Sequence, residues 1–270
     1  MVGKSIPAAA AAVFHDLGFD LVQIEGRFRG PLDVLVAGCG TGQQAMGVAG
    51  RFQHCSILAI DLSLASLVYA ARRAKDQGVQ NVTFAQADIL ELGGLGRHFD
   101  IIECVGVLHH MESPLDGWRV LLGRLRPGGV MKVGLYSEMA RREIAIEQAS
   151  DAWRQITPDP DGLRGYRHDL IKRHHNQTPG LSSIVNSRDF SSMSEFRDLL
   201  FHVQECRFSL PVIEMILEEL GLRFLGFELS KEDGATRFRE AYPEASAWAS
   251  LSKWHAFEQA NPNTFGGMYQ

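Results

Sequence analysis

Glycines and carboxylates in the first half of the sequence have types and spacings that could hold a nucleotide-like ligand. Gly38, Gly40 and Gly42 stand at alternate positions in the stretch V-L-V-A-G-C-G-T-G. Glycine permits a backbone with positive φ and lets a ligand approach where a Cβ would block it. Asp61 follows about twenty residues later, and Asp88 follows Asp61. We expect Asp61 to accept hydrogen bonds from ribose hydroxyls and Asp88 to reach the edge of an adenine ring.

The elements that must position these residues alternate between strand and helix. Short apolar runs predict strands at 32–36, 56–60, 82–85, 99–105 and 130–135, with helical patterns between them. Ser63 and the pair Ser113-Pro114 are typical helix starts. This alternation predicts a mostly parallel sheet with helices on both faces. The carboxyl ends of its strands, where the glycines and aspartates lie, would line one crevice.

The sequence divides into four parts. Residues 1–31 are predicted as an N-terminal helical segment capped by Ser5, in preference to a signal peptide. Residues 32–136 form the nucleotide-binding core. Residues 137–210 form a helical insertion or cap over the active site, with a polar loop at 157–180 that holds His168, His174 and His175. Residues 211–270 supply the last helix, a sixth strand at 223–229, a helical tail and the start of a last strand at 264–270.

Composition narrows the class of protein. The 270 residues are 45% hydrophobic and 22% charged, with a formal net charge of −5. A mildly acidic chain without a basic run argues against nucleic acid as the main partner, and no apolar run reaches the length of a membrane span. The four scattered cysteines favour a reducing compartment, so we expect a cytoplasmic protein. No zinc-like spacing is present, so we expect no metal.

The ordered set of motifs resembles the class I S-adenosylmethionine-dependent methyltransferases. The matching stretches are V-A-G-C-G-T-G, A-I-D-L-S, Q-A-D-I-L, V-G-V-L-H-H and L-R-P-G-G, all within 32–136. The phrases G-L-Y-S-E, D-L-L-F-H-V-Q-E and N-P-N-T-F-G-G-M-Y-Q are similar to bacterial methyltransferase domains sometimes found with tetratricopeptide repeats. The resemblance implies a Rossmann-like three-layer α/β sandwich, with a seven-stranded sheet whose last strand is antiparallel.

The resemblance also implies a cofactor, S-adenosylmethionine, and a set of residues to bind it. The glycines would hold its methionine and ribose part, Asp61 the ribose hydroxyls, and Asp88 the adenine amine. The remaining contacts would come from Leu62 and Ile89 beside the adenine and from Val105 near the methionine amino group. Many members carry an acidic residue where this chain has Ala37, so backbone carbonyls would have to bind that amino group here.

His109, His110 and Tyr136 are the candidate catalytic residues near the cofactor methyl. A histidine titrates near neutral pH, which suits a general base for an acceptor that arrives protonated. In the alternative interpretation, one histidine packs against the helix and only the other faces the pocket. Asp198, His202 and Glu205 stand at helical spacing, so they could line the substrate pocket or form a surface ion-pair face.

Three functions remain open on the sequence alone. We expect a methyltransferase acting on a small-molecule or peptide acceptor; the motif N-P-P-Y, typical of enzymes that methylate amide or adenine nitrogens, is absent after the fourth strand. The first alternative is a non-catalytic cofactor-binding module. The second is a nicotinamide-dependent oxidoreductase, against which the G-x-G-x-G spacing argues. The sequence does not separate a monomer from a homodimer.

Overall fold

The structure is a computed structural model that describes residues 28, 30–52, 54–229 and 232–270. The predicted N-terminal helix with its Ser5 cap lies outside the described residues. Within these residues six strands form one sheet: Leu32–Ala37 (β1), Cys55–Asp61 (β2), Val82–Gln86 (β3), Phe99–Val105 (β4), Leu125–Tyr136 (β5) and Met268–Tyr269 (β6).

The sheet has the strand order β3-β2-β1-β4-β5-β6. Neighbours from β3 to β5 are parallel, and β6 is antiparallel to β5 through the pairs Leu135 with Tyr269 and Tyr136 with Met268. The order reverses on either side of β1, so the carboxyl ends of β1, β2, β3 and β4 meet along one edge. The predicted α/β architecture with an antiparallel last strand is confirmed, with six strands in the described residues instead of seven.

Helices cover both faces of the sheet. The helices Gln43–Arg51 (α1) and Leu64–Asp76 (α2) pack on one face of the sheet. They contact every second side chain of β1, and the side chains between these point to the other face. Pro114–Leu122 (α3), Leu210–Glu219 (α9), Glu232–Ala241 (α10) and Leu251–Ala260 (α11) cover the other. Ser63 caps α2 as predicted, because its hydroxyl accepts a hydrogen bond from the backbone N–H of Ser66 at 3.2 Å.

The insertion is helical and has its own apolar core. Its helices are Arg142–Gln148 (α4), Asp151–Arg154 (α5), Pro160–His175 (α6), Ser182–Val185 (α7) and Met193–Phe201 (α8). The core is built from side chains of α4, α6, α7 and α8, with Leu170, Ile184, Phe196 and Leu200 fully buried. The segment after α8 returns to the sheet, where the N–H of Phe208 donates to the carbonyl of Tyr136 at 2.9 Å.

Three local predictions are wrong. The polar stretch 157–180 is largely helix α6, because Asp159 caps its first turn and Pro160 occupies a position where no N–H is needed. Segment 223–229 is not a strand. Strand β5 begins at Leu125 instead of residue 130, so R-P-G-G belongs to the strand. Helix α3 does begin after Ser113, with Pro114 in its first turn, although the Ser113 side chain makes no cap hydrogen bond.

Among the described helices, none combines the length and the apolar character that crossing a lipid bilayer requires.

Candidate active site

The glycine turn between β1 and α1 has the backbone that its sequence predicts. All three glycines have positive φ: +75° at Gly38, +49° at Gly40 and +83° at Gly42. A Cβ on Gly38 would lie 2.2 Å from the side chain of Val107, and one on Gly42 would lie 2.7 Å from Ala70. A Cβ on Gly40 would meet nothing within 4 Å. The turn is therefore packed on both flanks and open at its centre, where a ligand can approach the backbone.

Asp61, the last residue of β2, is bound to this turn. Its Oδ2 accepts a hydrogen bond from the N–H of Gly40 at 2.7 Å, and its Oδ1 accepts one from the N–H of Ser63 at 2.8 Å. An ionised carboxylate has about four acceptor directions. Two of these directions are used by the N–H groups of Gly40 and Ser63. The other two remain for a diol such as the hydroxyls of ribose.

Asp88 lies beside Asp61, after the end of β3. The N–H of Ala87 donates to the carbonyl of Asp61 at 3.2 Å, which ties the two strand ends together. Asp88 caps the short 3₁₀ helix Ile89–Gly94 by accepting from the N–H of Leu90 at 2.9 Å. The structure thus brings the glycine turn and both aspartates to one crevice.

Two apolar side chains at this crevice differ from each other in exposure. Leu62 is 66% exposed next to Asp61, where it can pack on a flat aromatic ring. Ile89 is only 6% exposed and packs in the apolar core. The neighbouring Leu90, which the sequence analysis did not select, is 49% exposed at the same place.

The remaining predicted cofactor residues end the two central strands. Ala37 is fully buried at the end of β1, and Val105 is half-buried at the end of β4. Glu103, on β4 opposite Val36, is a carboxylate near Ala37 that the sequence analysis missed. Its side chain is buried and accepts hydrogen bonds from Gln44 at 2.8 Å and from Arg51 at 3.3 Å. Glu103 therefore fixes α1 against β4 and orients the helix whose N-terminus follows the glycine turn.

His109 and His110 have different surroundings. His109 is fully buried, and its ring stacks on that of Tyr136 with centroids 3.6 Å apart. The Gly134 carbonyl is nearby, but neither ring nitrogen makes a hydrogen bond of ordinary geometry. Burial, and then the neighbouring His110 and Arg141, lower the pKa of His109 to about 3. His109 is therefore neutral at physiological pH, and its ring is closed to solvent and packs on a strand residue.

His110 is partly exposed and contacts the segment that returns from the insertion. Its Nδ1 lies 3.0 Å from the carbonyl of Gln204, and Nδ1 of His202 lies 2.7 Å from the same oxygen. The two rings stack with centroids 3.7 Å apart. A carbonyl only accepts, so the contact of His110 places its proton on Nδ1 and leaves Nε2 of the neutral ring as an acceptor, whereas Nδ1 of His202 also lies 3.3 Å from the N–H of Gln204. Burial is the main cause that lowers the pKa of His110.

A buried ion pair joins the insertion to Tyr136. Arg141 donates two hydrogen bonds to Glu205, from Nε to Oε1 at 2.8 Å and from a terminal nitrogen to Oε2 at 2.7 Å. Its guanidinium lies 3.7 Å from the centre of the Tyr136 ring. The side chains of Arg141 and Glu205 are 4% and 6% exposed, and Arg207 also donates to Glu205. These pairs hold the returning segment against the ends of β4 and β5.

The predicted helical face of Asp198, His202 and Glu205 is wrong. Helix α8 ends at Phe201, so His202 and Glu205 lie in the returning segment, while Asp198 is exposed on the helix.

The described residues contain no group of three or more histidine, cysteine, aspartate or glutamate side chains placed to hold a metal ion.

Known proteins resemble this chain to different extents. Residues 34–129 match the family model described as a methyltransferase domain. An uncharacterized protein of Synechococcus is 30% identical over 236 residues, which cover 83% of this chain and 55% of that protein. Trans-aconitate 2-methyltransferase of Deinococcus radiodurans is 36% identical over 100 residues, 37% of this chain and 36% of that enzyme.

A solved structure, PKMT2 from Rickettsia typhi in complex with AdoHcy, has the same fold. It aligns with a TM-score of 0.66 and 17% identity over 97% of this chain and 52% of that one. The chain thus spans about half the length of the Synechococcus relative and of PKMT2. The likeness to domains found with tetratricopeptide repeats stays a prediction. The matched domain model identifies residues 34–129 as a methyltransferase domain, and the chain shares the fold of PKMT2.

Proposed function

We propose that this chain transfers the methyl group of S-adenosylmethionine to a small-molecule or peptide acceptor bound between the sheet and the insertion. The observation that carries the proposal is the 2.7 Å hydrogen bond from the Gly40 N–H to Asp61. It joins the open glycine turn to a carboxylate that has two acceptor directions left. The tie between Asp61 and Ala87 brings Asp88 into the same crevice.

The described residues fit this cofactor. Asp61 would accept both ribose hydroxyls, Asp88 would accept from the adenine amine, and exposed Leu62 and Leu90 would pack on the adenine ring. The open space at Gly40 admits the methionine and ribose part close to the backbone. With Ala37 in place of a carboxylate, the methionine amino group would bind backbone carbonyls near Gly38 and Val105.

The chain's own task is to position the acceptor and exclude water. Bound S-adenosylmethionine supplies an activated methyl group on a sulfonium, so little further chemistry is required of the protein. Correct positioning of an acceptor can lower the barrier by about 7–11 kcal/mol in favourable cases. His110 presents an unprotonated Nε2 and is partly exposed, so it is the group of the pair suited to accept a proton. His109 and Tyr136 form the stacked wall behind it.

Release of S-adenosylhomocysteine tests the proposal. The chain is incubated with S-adenosylmethionine and a panel of carboxylates, phenols, amines and basic peptides, and the product is measured by mass spectrometry. We expect at least one acceptor class to give product with the parent chain and much less with Asp61→Ala. Tight cofactor binding with no product from any class would favour the non-catalytic binding module. Failure to bind S-adenosylmethionine at all would overturn the proposal.

A further inference from the structure

A short span of the returning segment, residues 202–204, contacts His110, the proposed proton acceptor. The span follows Phe201, the last residue of α8. The carbonyl of Gln204 lies 3.0 Å from Nδ1 of His110. The ring of His202 stacks on the His110 ring, with centroids 3.7 Å apart and an angle of 28° between the planes. One edge and one face of the His110 ring are thus held by the insertion.

The upstream end of this span is fixed by side chains that bind the last carbonyls of α8. A helix leaves the carbonyls of its last turn without intrahelical partners. The Leu200 carbonyl accepts hydrogen bonds from Nε2 of Gln148 at 3.1 Å and from Nε1 of Trp153 at 3.0 Å. The Leu199 carbonyl accepts one from Arg141 at 3.1 Å. Both leucines are also buried in the core of the insertion, so the chain leaves α8 from a fixed point.

The downstream end of the span is fixed to the loop after β4 and to the end of β5. The N–H of Cys206 donates to the carbonyl of His109 at 2.7 Å, and the N–H of Phe208 donates to the carbonyl of Tyr136 at 2.9 Å. The carboxylate of Glu205, directly after the span, is held in its buried ion pair. Residues 202–204 therefore connect two fixed points, which leaves their atoms little freedom to move.

The ring of His202 is tied to the backbone of its own span. Its Nδ1 lies 2.7 Å from the carbonyl of Gln204 and 3.3 Å from the N–H of the same residue. Either hydrogen bond holds the ring flat against His110, whichever nitrogen of His202 carries the proton. Val203, between the two, is 100% exposed, so its side chain takes no part in this arrangement.

This arrangement determines which nitrogen of His110 can accept a proton. A neutral imidazole carries its proton on either nitrogen, and the hydrogen bond of one nitrogen selects the tautomer. The Gln204 carbonyl keeps the proton on Nδ1, so Nε2 has the free lone pair. A half-turn of the ring would move Nδ1 away from that carbonyl, and the stacked His202 ring opposes it. Burial lowers the pKa of His110, which favours the neutral ring.

We propose that His202 is a positioning residue, whose stacked ring holds His110 with Nδ1 on the Gln204 carbonyl and Nε2 free to take a proton from the methyl acceptor. The acceptor class that needs such a base arrives protonated, as a hydroxyl or amine group does. In the balanced step the acceptor atom bonds to the methyl carbon as the S–C bond breaks, the electron pair of that bond stays on sulfur, and the acceptor proton passes to Nε2. The kinetic consequence rests on the proposed function, whereas the position of the His110 ring does not.

NMR spectroscopy of the folded chain, without cofactor or acceptor, tests the position of the ring. Long-range proton–nitrogen spectra report which nitrogen of a histidine carries the proton, and the signals lost in His110→Gln assign His110. We expect the parent chain and His202→Phe, which keeps the stack, to carry the proton on Nδ1. His202→Ala should give a mixture of both tautomers, and the control Val203→Ala should match the parent chain. A parent ring protonated at Nε2, or a ring that stays protonated only at Nδ1 in His202→Ala, would overturn the proposal.

Steady-state kinetics with an acceptor that gives product tests the consequence. We expect His202→Ala to lower kcat about 10- to 100-fold with KM changed less than about threefold, because a small misplacement of a reacting group is costly. His202→Phe should restore most of kcat, and Val203→Ala should match the parent chain. Equal kcat in the parent chain and His202→Ala would overturn the role of His202 in the reaction. If no acceptor gives product with any variant, the proposed function fails, and the NMR spectra still decide whether His202 positions His110.

Discussion

Replacing Asp61 with alanine removes the carboxylate on which the cofactor assignment depends. In the structure this side chain accepts hydrogen bonds from Gly40 and Ser63, which leaves about two acceptor directions for the proposed ribose contacts. The substitution therefore removes the two predicted contacts to ribose and also an acceptor for the glycine turn. We expect the affinity for S-adenosylmethionine to fall while the sheet stays folded.

The size of the effect follows from the bonds lost. A hydrogen bond to a charged group contributes about 1.5–3 kcal/mol, and 1.4 kcal/mol corresponds to a tenfold change in Kd. Loss of both ribose contacts removes about 3–6 kcal/mol, so Kd should rise by at least roughly 100-fold. Asp61→Asn keeps one acceptor oxygen and loses the charge, so its Kd should lie between those of the parent chain and the alanine variant.

Isothermal titration calorimetry with S-adenosylmethionine measures both variants. Asp76→Ala is the matched control, because Asp76 is an exposed carboxylate at the far end of α2. Its Kd should equal that of the parent chain. Thermal unfolding by circular dichroism separates a lost contact from a lost fold. If Asp61→Ala unfolds cooperatively like the parent chain and binds the cofactor with unchanged Kd, the reasoning on Asp61 is refuted.

Three further variants test other parts of the account. Gly40→Ala should weaken cofactor binding in calorimetry with a small loss of stability. Gly42→Ala should lower Tm, because its Cβ would lie 2.7 Å from Ala70 at a φ of +83°. Equal effects of the two substitutions would contradict the open centre of the turn. The pKa of His109 is lowered from 6.5 to about 3, so folding favours the neutral ring. The free energy of unfolding is therefore highest above pH 6.5 and falls as the pH falls below that value. His109→Phe, which keeps the stack on Tyr136, should then be more stable than the parent chain by about 2–3 kcal/mol in urea titrations at pH 4.5, and no gain there would contradict it. Burial raises the pKa of Glu258 to about 7, so folding favours its neutral form and stability falls as pH rises from 4.5 to 7. Glu258→Gln should remove that fall, with a gain of up to about 3 kcal/mol at pH 8 and little at pH 4.5, and equal unfolding curves at pH 8 would contradict it.

The sheet could be predicted because its strands carry strong local signals. The runs ending at Ala37, Asp61 and Val105 are buried on both faces, and such strands have near-continuous apolar sequences. Helix α6 was missed because Asp159, Pro160 and Gly162 are typical of loops. In the structure the first two are the cap and the first residue of the helix, positions at which the same residues favour a helix.

The site could be predicted only where it depends on strand ends. Glycines and aspartates fall at the ends of β1, β2 and β3, so strand order alone brings them together. The choice between His109 and His110 depends on which ring packs under Tyr136, and that is decided by tertiary packing. The pairing of Arg141 with Glu205 joins residues 64 positions apart, for which the local sequence has no signal.

The central claim is that the glycine turn, Asp61 and Asp88 bind one adenosyl group. A crystal structure of the chain with S-adenosylhomocysteine measures this directly. The account predicts both ribose hydroxyls within about 2.5–3.0 Å of the Asp61 carboxylate oxygens. It also predicts the adenine beside Asp88 and the thioether over Gly40. An adenosyl group bound elsewhere, with Asp61 still bonded only to Gly40 and Ser63, would contradict it.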